Sequence, residues 1–142
     1  YGLGASIGAK IGCPDKVVFN IAGDGCFRMN NIELATAVEY DIPVIVVIIN
    51  NHSLGMVRQW QHFFYDKRFS HTDMNRTTDF VKLAEAYRAV AFNVTKHEEV
   101  DEIIKKAIKL NKTVVINCEV SNNENVFPMV PSGAGIDEFL GD

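Results

Sequence analysis

Two runs of β-branched and apolar residues, Val17-Val18-Phe19-Asn20-Ile21-Ala22 and Val44-Ile45-Val46-Val47-Ile48-Ile49, punctuate the first part of the chain. Each is too short for a buried helix, and a continuous apolar run of this length predicts a strand covered on both faces. Both strands are therefore expected to be parallel and central. Between them, Asn31 to Tyr40 places Ile32, Ala35 and Val38 along one side of a helix, the crossover that a parallel pair requires. Ahead of this βαβ unit, Gly4, Gly8 and Gly12 recur every four residues and give a helix one smooth face, read as close packing on a neighbour. Pro14-Asp15 ends that helix.

The second half is patterned more plainly. Phe80, Leu83, Ala84 and Tyr87 mark one helical face, and Ala89 to Val94 predicts a third strand. Thr95-Lys96-His97-Glu98 has the spacing of a capping box. It opens a helix with Val100, Ile103, Ile104, Ala107 and Ile108 inward and Lys105, Lys106 and Lys109 outward. Thr113 to Val120 predicts a fourth strand. Between the halves, His52 to Gln61 turns helix-compatible, and His62 to Asp79 forms a long aromatic, mixed-charge loop of the kind that is functional or mobile. From Ser121 onward Pro128, Pro131, Gly133 and Gly135 predict an irregular tail hugging the surface, over a neighbouring subunit. The expected organisation is one α/β domain over residues 1–120, a three-layer α/β/α fold on a mostly parallel sheet, with an irregular tail over 121–142.

Candidate chemistry sits where the first two strands end. Gly23-Asp24-Gly25 follows the first and Asn50-Asn51 closes the second. Adjacent parallel strands lie about 4.8 Å apart, so the Asp24 carboxylate and the Asn51 amide oxygen would meet in the crevice at the carboxyl ends of the sheet. Mg²⁺ prefers octahedral oxygen coordination and is commonly held by one or two side chains plus phosphate oxygens, so the pair forms half a site for a diphosphate cofactor. Gly23 and Gly25 let the backbone turn sharply there, and the following amides can donate to phosphate. Asn50, on the other side of an extended backbone, is read as structural, as is Glu33 on the crossover helix. His52, His62, His71 and His97 have no spacing that makes a ligand set.

Composition narrows the classes. At 142 residues, 47% hydrophobic, the chain can bury one core of ordinary size. A net charge of −4 from 14 basic and 18 acidic residues, with no basic block, speaks against nucleic acid or an anionic membrane as partner. Cys13, Cys26 and Cys118 are odd in number and widely spaced, which argues against a disulfide framework or zinc site and for a reducing cytoplasm. The longest apolar run stops at Ile49, short of a membrane span, and no signal peptide opens the chain. Position 1 is Tyr, in what reads as mid-element, as expected of a piece of a longer polypeptide.

The stretch from Gly23 through Asn51 resembles the thiamine diphosphate motif, and the whole chain is similar to the C-terminal, diphosphate-binding domain of the acetolactate synthase (acetohydroxyacid synthase) large catalytic subunit. The segments from Asn50 to Gln61 and from Phe127 to Gly133 carry the more particular likeness. Phe64-Tyr65, Arg68, Ser70-His71-Thr72 and Asp79-Phe80 add to it. The resemblance implies thiamine diphosphate and Mg²⁺ as cofactors, with FAD in the full-length parent and not in this domain. It implies Asp24, the Asn51 side chain and the Ser53 carbonyl as metal ligands, and Gly23, Gly25 and Cys26 along the diphosphate. Leu54, Gly55 and Met56 would lie along the cofactor and Trp60 in the substrate pocket, favouring 2-oxobutyrate as acceptor. The reaction implied is condensation of pyruvate with a second 2-oxo acid, pyruvate or 2-oxobutyrate, with loss of CO₂, in branched-chain amino acid biosynthesis.

A homodimer or higher oligomer is implied, with a regulatory small subunit left open. No catalytic residue is expected in this chain: the activating glutamate belongs to an N-terminal pyrimidine-binding domain and the flavin to a middle domain, so the chain alone is expected to be inactive. Cys26 stands where the family commonly has Ser, Arg88 where Gly is common, and Asn111-Lys112 where Gly-Pro is usual. The alternatives are another thiamine-diphosphate-dependent 2-oxo acid decarboxylase or carboligase, and a non-catalytic module that keeps the fold.

Overall fold

The computed structural model describes residues 1–74 and 78–141. Val44, Val46 and Ile48 point to one side of the sheet and Ile45 and Val47 to the other, and all are buried. The strand they build, β2 (Ile45–Asn50), is central, pairing in parallel with β1 (Phe19–Gly23) on one side and β4 (Val114–Glu119) on the other. A third parallel pairing puts β3 (Val90–Val94) on the far edge, so the order is β1-β2-β4-β3. Burying each large aliphatic side chain contributes roughly 1.5–3 kcal/mol, which is why the two-sided run lands in the middle.

Helices α1 (Gly2–Gly12), α2 (Asp24–Arg28), α3 (Leu34–Glu39) and α5 (Phe80–Ala86) cover one face. Leu3, Ile7, Phe27, Leu34, Ala37, Phe80 and Ala84 pack there with Val46 and Ile48, and Phe27 meets Phe80 edge to face with ring centroids 5.7 Å apart. Helix α6 (Val100–Leu110) covers the other face through Ala107, with Val100, Ile103, Ile104 and Leu110 around it, against Ile45, Val47, Val114 and Ile116. The three layers expected from the sequence are present. Between β2 and α5 lies α4 (Gly55–Phe64), whose one buried residue is the polar Gln59. Among the described residues no helix is long and apolar enough to cross a membrane.

Several local expectations are corrected. β1 is an edge strand: Asn20 is buried while Phe19 and Ile21 are 39% and 65% exposed, because no α-helical layer reaches that side of it among the described residues. The crossover turns inward through Leu34 and Ala37, and Ile32 and Ala35 face out. Asn31–Glu33 forms a 3₁₀ turn first, and its three residues per turn shift the phase of the α-helix that continues from it. The residue that caps the start of the α6 segment is Glu99, whose carboxylate accepts from the Thr95 and Lys96 N–H groups, and not Glu98. Ile108 is 41% exposed on the outer side of α6. Among the described residues a Cβ on Gly4, Gly8 or Gly12 would meet open space, and within this chain α1 packs through Leu3, Ser6 and Ile7.

The tail hugs the surface of its own chain. Gln59 donates to the Val126 carbonyl at 2.9 Å and accepts from the Val126 N–H at 2.7 Å, while Arg58 donates to Asn122 and Asn123. Phe127 then stacks edge-on against Phe63, with centroids 5.7 Å apart. Within the expected 62–79 loop, α4 runs on to Phe64, and Thr72–Met74 lies antiparallel to His52–Leu54 through the Leu54 N–H to Thr72 and the Met74 N–H to His52. Residues 75–77 of that loop lie outside the described residues.

Candidate functional site at the carboxyl ends of β1 and β2

The register of the sheet brings the two predicted strand ends together. Gly23 pairs with Ile49, so Asp24 and Asn51 leave adjacent parallel strands within two residues of that pair. Asp24 opens α2, is only 2% exposed, and its Oδ2 has no hydrogen-bond partner among the described residues. Desolvation by burial pushes its carboxyl above its ordinary value, opposed by the Gly25 N–H and by the charge of Arg28. A buried carboxylate oxygen with no donor costs about 1–3 kcal/mol, so such a group calls for a cation.

Asn51 is held beside it. Its Oδ1 accepts from the Ser53 N–H at 3.1 Å, an Asx turn that fixes the amide and leaves that oxygen one further lone pair. Gly55 is required by this arrangement, because a Cβ there would stand 2.8 Å from Asn51 Nδ2. Gly25 likewise lets the β1 turn approach the second loop: a Cβ on it would meet Leu54 Cδ2 at 3.1 Å. Ser53 is buried, with its hydroxyl donating to the Thr72 carbonyl at 3.0 Å. Among the described residues no group of three or more His, Cys, Asp and Glu side chains could hold a metal, so a divalent ion at this edge would rely on one carboxylate with amide and carbonyl oxygens. That donor set suits Mg²⁺.

Cys26 presents an exposed thiol two residues past Asp24, and Leu54 and Met56 are part-exposed at the mouth of the site. Met56, Val57, Trp60, Gln61 and Tyr65 line an open apolar cleft of about 500 Å³ on α4, with Trp60 5.1 Å from Phe64 between ring centroids. Trp60 is 36% exposed and is not a core residue. Asn50 is structural as expected. Its amide donates to Glu119 Oε1 at 3.3 Å and its Oδ1 accepts from the His52 N–H at 3.2 Å.

Sequence reasoning missed the residues that hold this edge from β4. Glu119 Oε2 meets His52 Nε2, and Glu119 Oε1 also accepts from Asn117 Nδ2 at 2.7 Å. The signal available was the pair of polar residues, Asn117 and Glu119, interrupting an otherwise apolar strand. His52 itself has φ +53, a left-handed backbone that costs a non-glycine residue roughly 1–2 kcal/mol.

Comparison with known proteins points the same way. Residues 1–118 match the family model described as thiamine pyrophosphate enzyme, C-terminal TPP binding domain. The acetolactate synthase large subunit of Porphyra purpurea is 42% identical over 99% of this chain and 24% of its own length. That of Corynebacterium glutamicum is 47% identical over 94% of this chain and 22% of its own length. The mitochondrial acetolactate synthase catalytic subunit of Saccharomyces cerevisiae is 43% identical over 99% of this chain and 20% of its own length. Among solved structures, the thiamine diphosphate-dependent 4-hydroxybenzoylformate decarboxylase of Rhodococcus jostii RHA1 superposes with a TM-score of 0.78 at 29% identity, covering 84% of this chain and 23% of that one. The chain thus spans about a fifth to a quarter of the length of these relatives. With its parallel sheet, its buried Asp24 whose Oδ2 has no hydrogen-bond partner among the described residues, and its Asn51 turn, the chain belongs to the family of C-terminal TPP-binding domains of thiamine pyrophosphate enzymes.

Proposed function

We propose that this chain is the diphosphate-binding domain of an acetolactate synthase, acting with Mg²⁺ and thiamine diphosphate on pyruvate and a second 2-oxo acid. The observation that carries the reading is the Asp24 carboxylate oxygen, buried and without a donor, beside an Asn51 amide oriented by its own loop. Asp24, the Asn51 side chain and the Ser53 carbonyl would hold the metal. Gly23, Gly25, Cys26, Leu54, Gly55 and Met56 would border the cofactor, and Trp60 the substrate. When bound, thiamine diphosphate supplies a nucleophilic carbon able to add to a 2-oxo acid and retain its electrons as CO₂ leaves. This chain's part is placement: two glycines admit the diphosphate backbone-close, Asp24 balances the cation, and the α4 cleft offers an apolar wall to the reacting end.

The acetolactate synthase names of relatives 42–47% identical over nearly the whole chain support this substrate class over that of the structural neighbour, a decarboxylase at 29%. FAD, oligomerisation and a regulatory small subunit belong to the proposal at the level of the full-length parent, as does its place in branched-chain amino acid biosynthesis. Three free cysteines favour a reducing compartment such as the cytoplasm.

The test is cofactor titration of the parent and its Asp24→Asn variant with and without Mg²⁺, paired with product analysis. Saturable thiamine diphosphate binding that requires Mg²⁺ and weakens at least about 100-fold (about 3 kcal/mol) in the variant is expected. The variant should also melt higher without ligands, since an amide relieves the desolvated charge. Binding indifferent to metal and to the substitution would sink the site. Pyruvate turnover to acetaldehyde with no acetolactate would move the protein to the decarboxylases.

A further inference from the structure

The residues on either side of Asn51 are both tied to one side chain on another strand. Asn50 gives its amide to Glu119, His52 brings its ring to the same carboxylate, and the main chain is tied at the same place by the Val120 N–H to the Asn50 carbonyl at 3.0 Å. Glu119 is itself braced by Asn117, a 5%-exposed side chain whose amide also donates to Asn93 Oδ1 at 2.7 Å. The chain from β3 through β4 to the end of β2 is thus continuous in hydrogen bonds.

What this clamp holds is an uncommon backbone. His52 sits at φ +53, its N–H turned back to Asn50 Oδ1 and its carbonyl accepting from Met74, so that Asn51 and Ser53 flank a left-handed residue. Left-handed β-carbon-bearing residues persist where their surroundings over-determine them. The ring contact to Glu119 is a side-chain restraint on that residue from outside its own loop.

We infer that Glu119 is a positioning residue for the metal site: through His52 it holds the left-handed turn that aims the Asn51 amide oxygen and the Ser53 carbonyl. It does not touch the ion. The inference rests on the metal site proposed above. Carboxylates that orient ligand-bearing groups typically contribute 10–100-fold to metal affinity.

The experiment is calorimetric titration of Mg²⁺ into the parent protein at saturating thiamine diphosphate, with Glu119→Ala, His52→Gly and the double variant, alongside thermal melts. Glu119→Ala is expected to raise the Mg²⁺ Kd about tenfold. His52→Gly in that background is expected to return it to within about threefold of the parent, because glycine takes φ +53 without a clamp. A Glu119→Ala variant that melts lower yet keeps the parental Mg²⁺ Kd has lost a structural residue alone, and overturns the inference. So does a tenfold loss that His52→Gly fails to recover. Where Glu119→Ala is too unstable to titrate, Glu119→Gln keeps the acceptor for Asn50 and Asn117 and alters the His52 contact; an unchanged Kd there is equally fatal, and a rise of about threefold or more supports the clamp. A parent protein with no Mg²⁺-dependent cofactor binding at all would overturn the proposed function itself, an outcome distinct from either of these.

Discussion

Helices α4 and α6 are both amphipathic and of similar length, and the molecule uses them in opposite ways. On α6 the apolar stripe is spent inside: Ala107 is 1% exposed against Ile45, Val47, Val114 and Ile116, and Lys106 lies over the Phe92 ring at 4.9 Å. On α4 the stripe looks outward. Met56, Val57, Trp60 and Phe64 remain exposed, while the polar Gln59 is buried as the anchor for the tail. Periodicity shows that a helix has two faces, and the partner decides which is filled. The open apolar face lies just after the Asn51 turn, where a ligand would arrive.

The sharpest way to break this contrast is a charge on each stripe's key position. Ala107→Asp places a carboxylate with no partner between α6 and the sheet, costing several kcal/mol against a total stability of about 5–15 kcal/mol. Loss of a cooperative melt by circular dichroism is expected. Trp60→Asp on α4 should leave the melt within a few degrees, since its charge stays in water. Comparable damage from both would show that the α4 face is structural after all.

A smaller effect sharpens the role of Gln59. Its two bonds to the Val126 backbone copy a strand pairing, and Gln59→Ala should lower stability by about 1–3 kcal/mol while freeing the tail. Limited proteolysis should then cut within 121–141 far faster than in the parent, with the sheet intact. Equal cleavage rates would mean that Arg58 and Phe127 hold the tail unaided.

The smallest effect concerns the settled half. Arg88 follows α5 at φ +64, a left-handed position that suits glycine. Arg88→Gly is expected to stabilise by about 1 kcal/mol, or about 2–4 °C in Tm. A fall in Tm would show that the Arg88 side chain contributes more than its backbone strain costs.

The layers, the four strands and the glycine-bordered Asp24 to Asn51 pairing were legible because they depend on runs of β-branched residues and on turn chemistry, which are local. The errors were of context. Val17 to Ala22 resembles Val44 to Ile49 in composition, yet nothing in it says that Asn20 faces the core and Ile21 does not. The 3₁₀ turn at Asn31 moved the buried phase from Ile32 to Leu34, and a similar turn at His97 handed the capping role to Glu99. The Glu119 clamp joins residues 67 positions apart, so no window along the chain could display it.

The outer edge of β1, unpaired with any strand among the described residues, has a practical corollary. Its outward N–H and C=O groups, beside Phe19 and Ile21, form a ready template on which another extended polypeptide can nucleate. A preparation of this chain by itself should therefore cloud as it is concentrated, and Ile21→Lys is the simplest remedy for the colloid, since that side chain is already 65% exposed while Asp24 is buried.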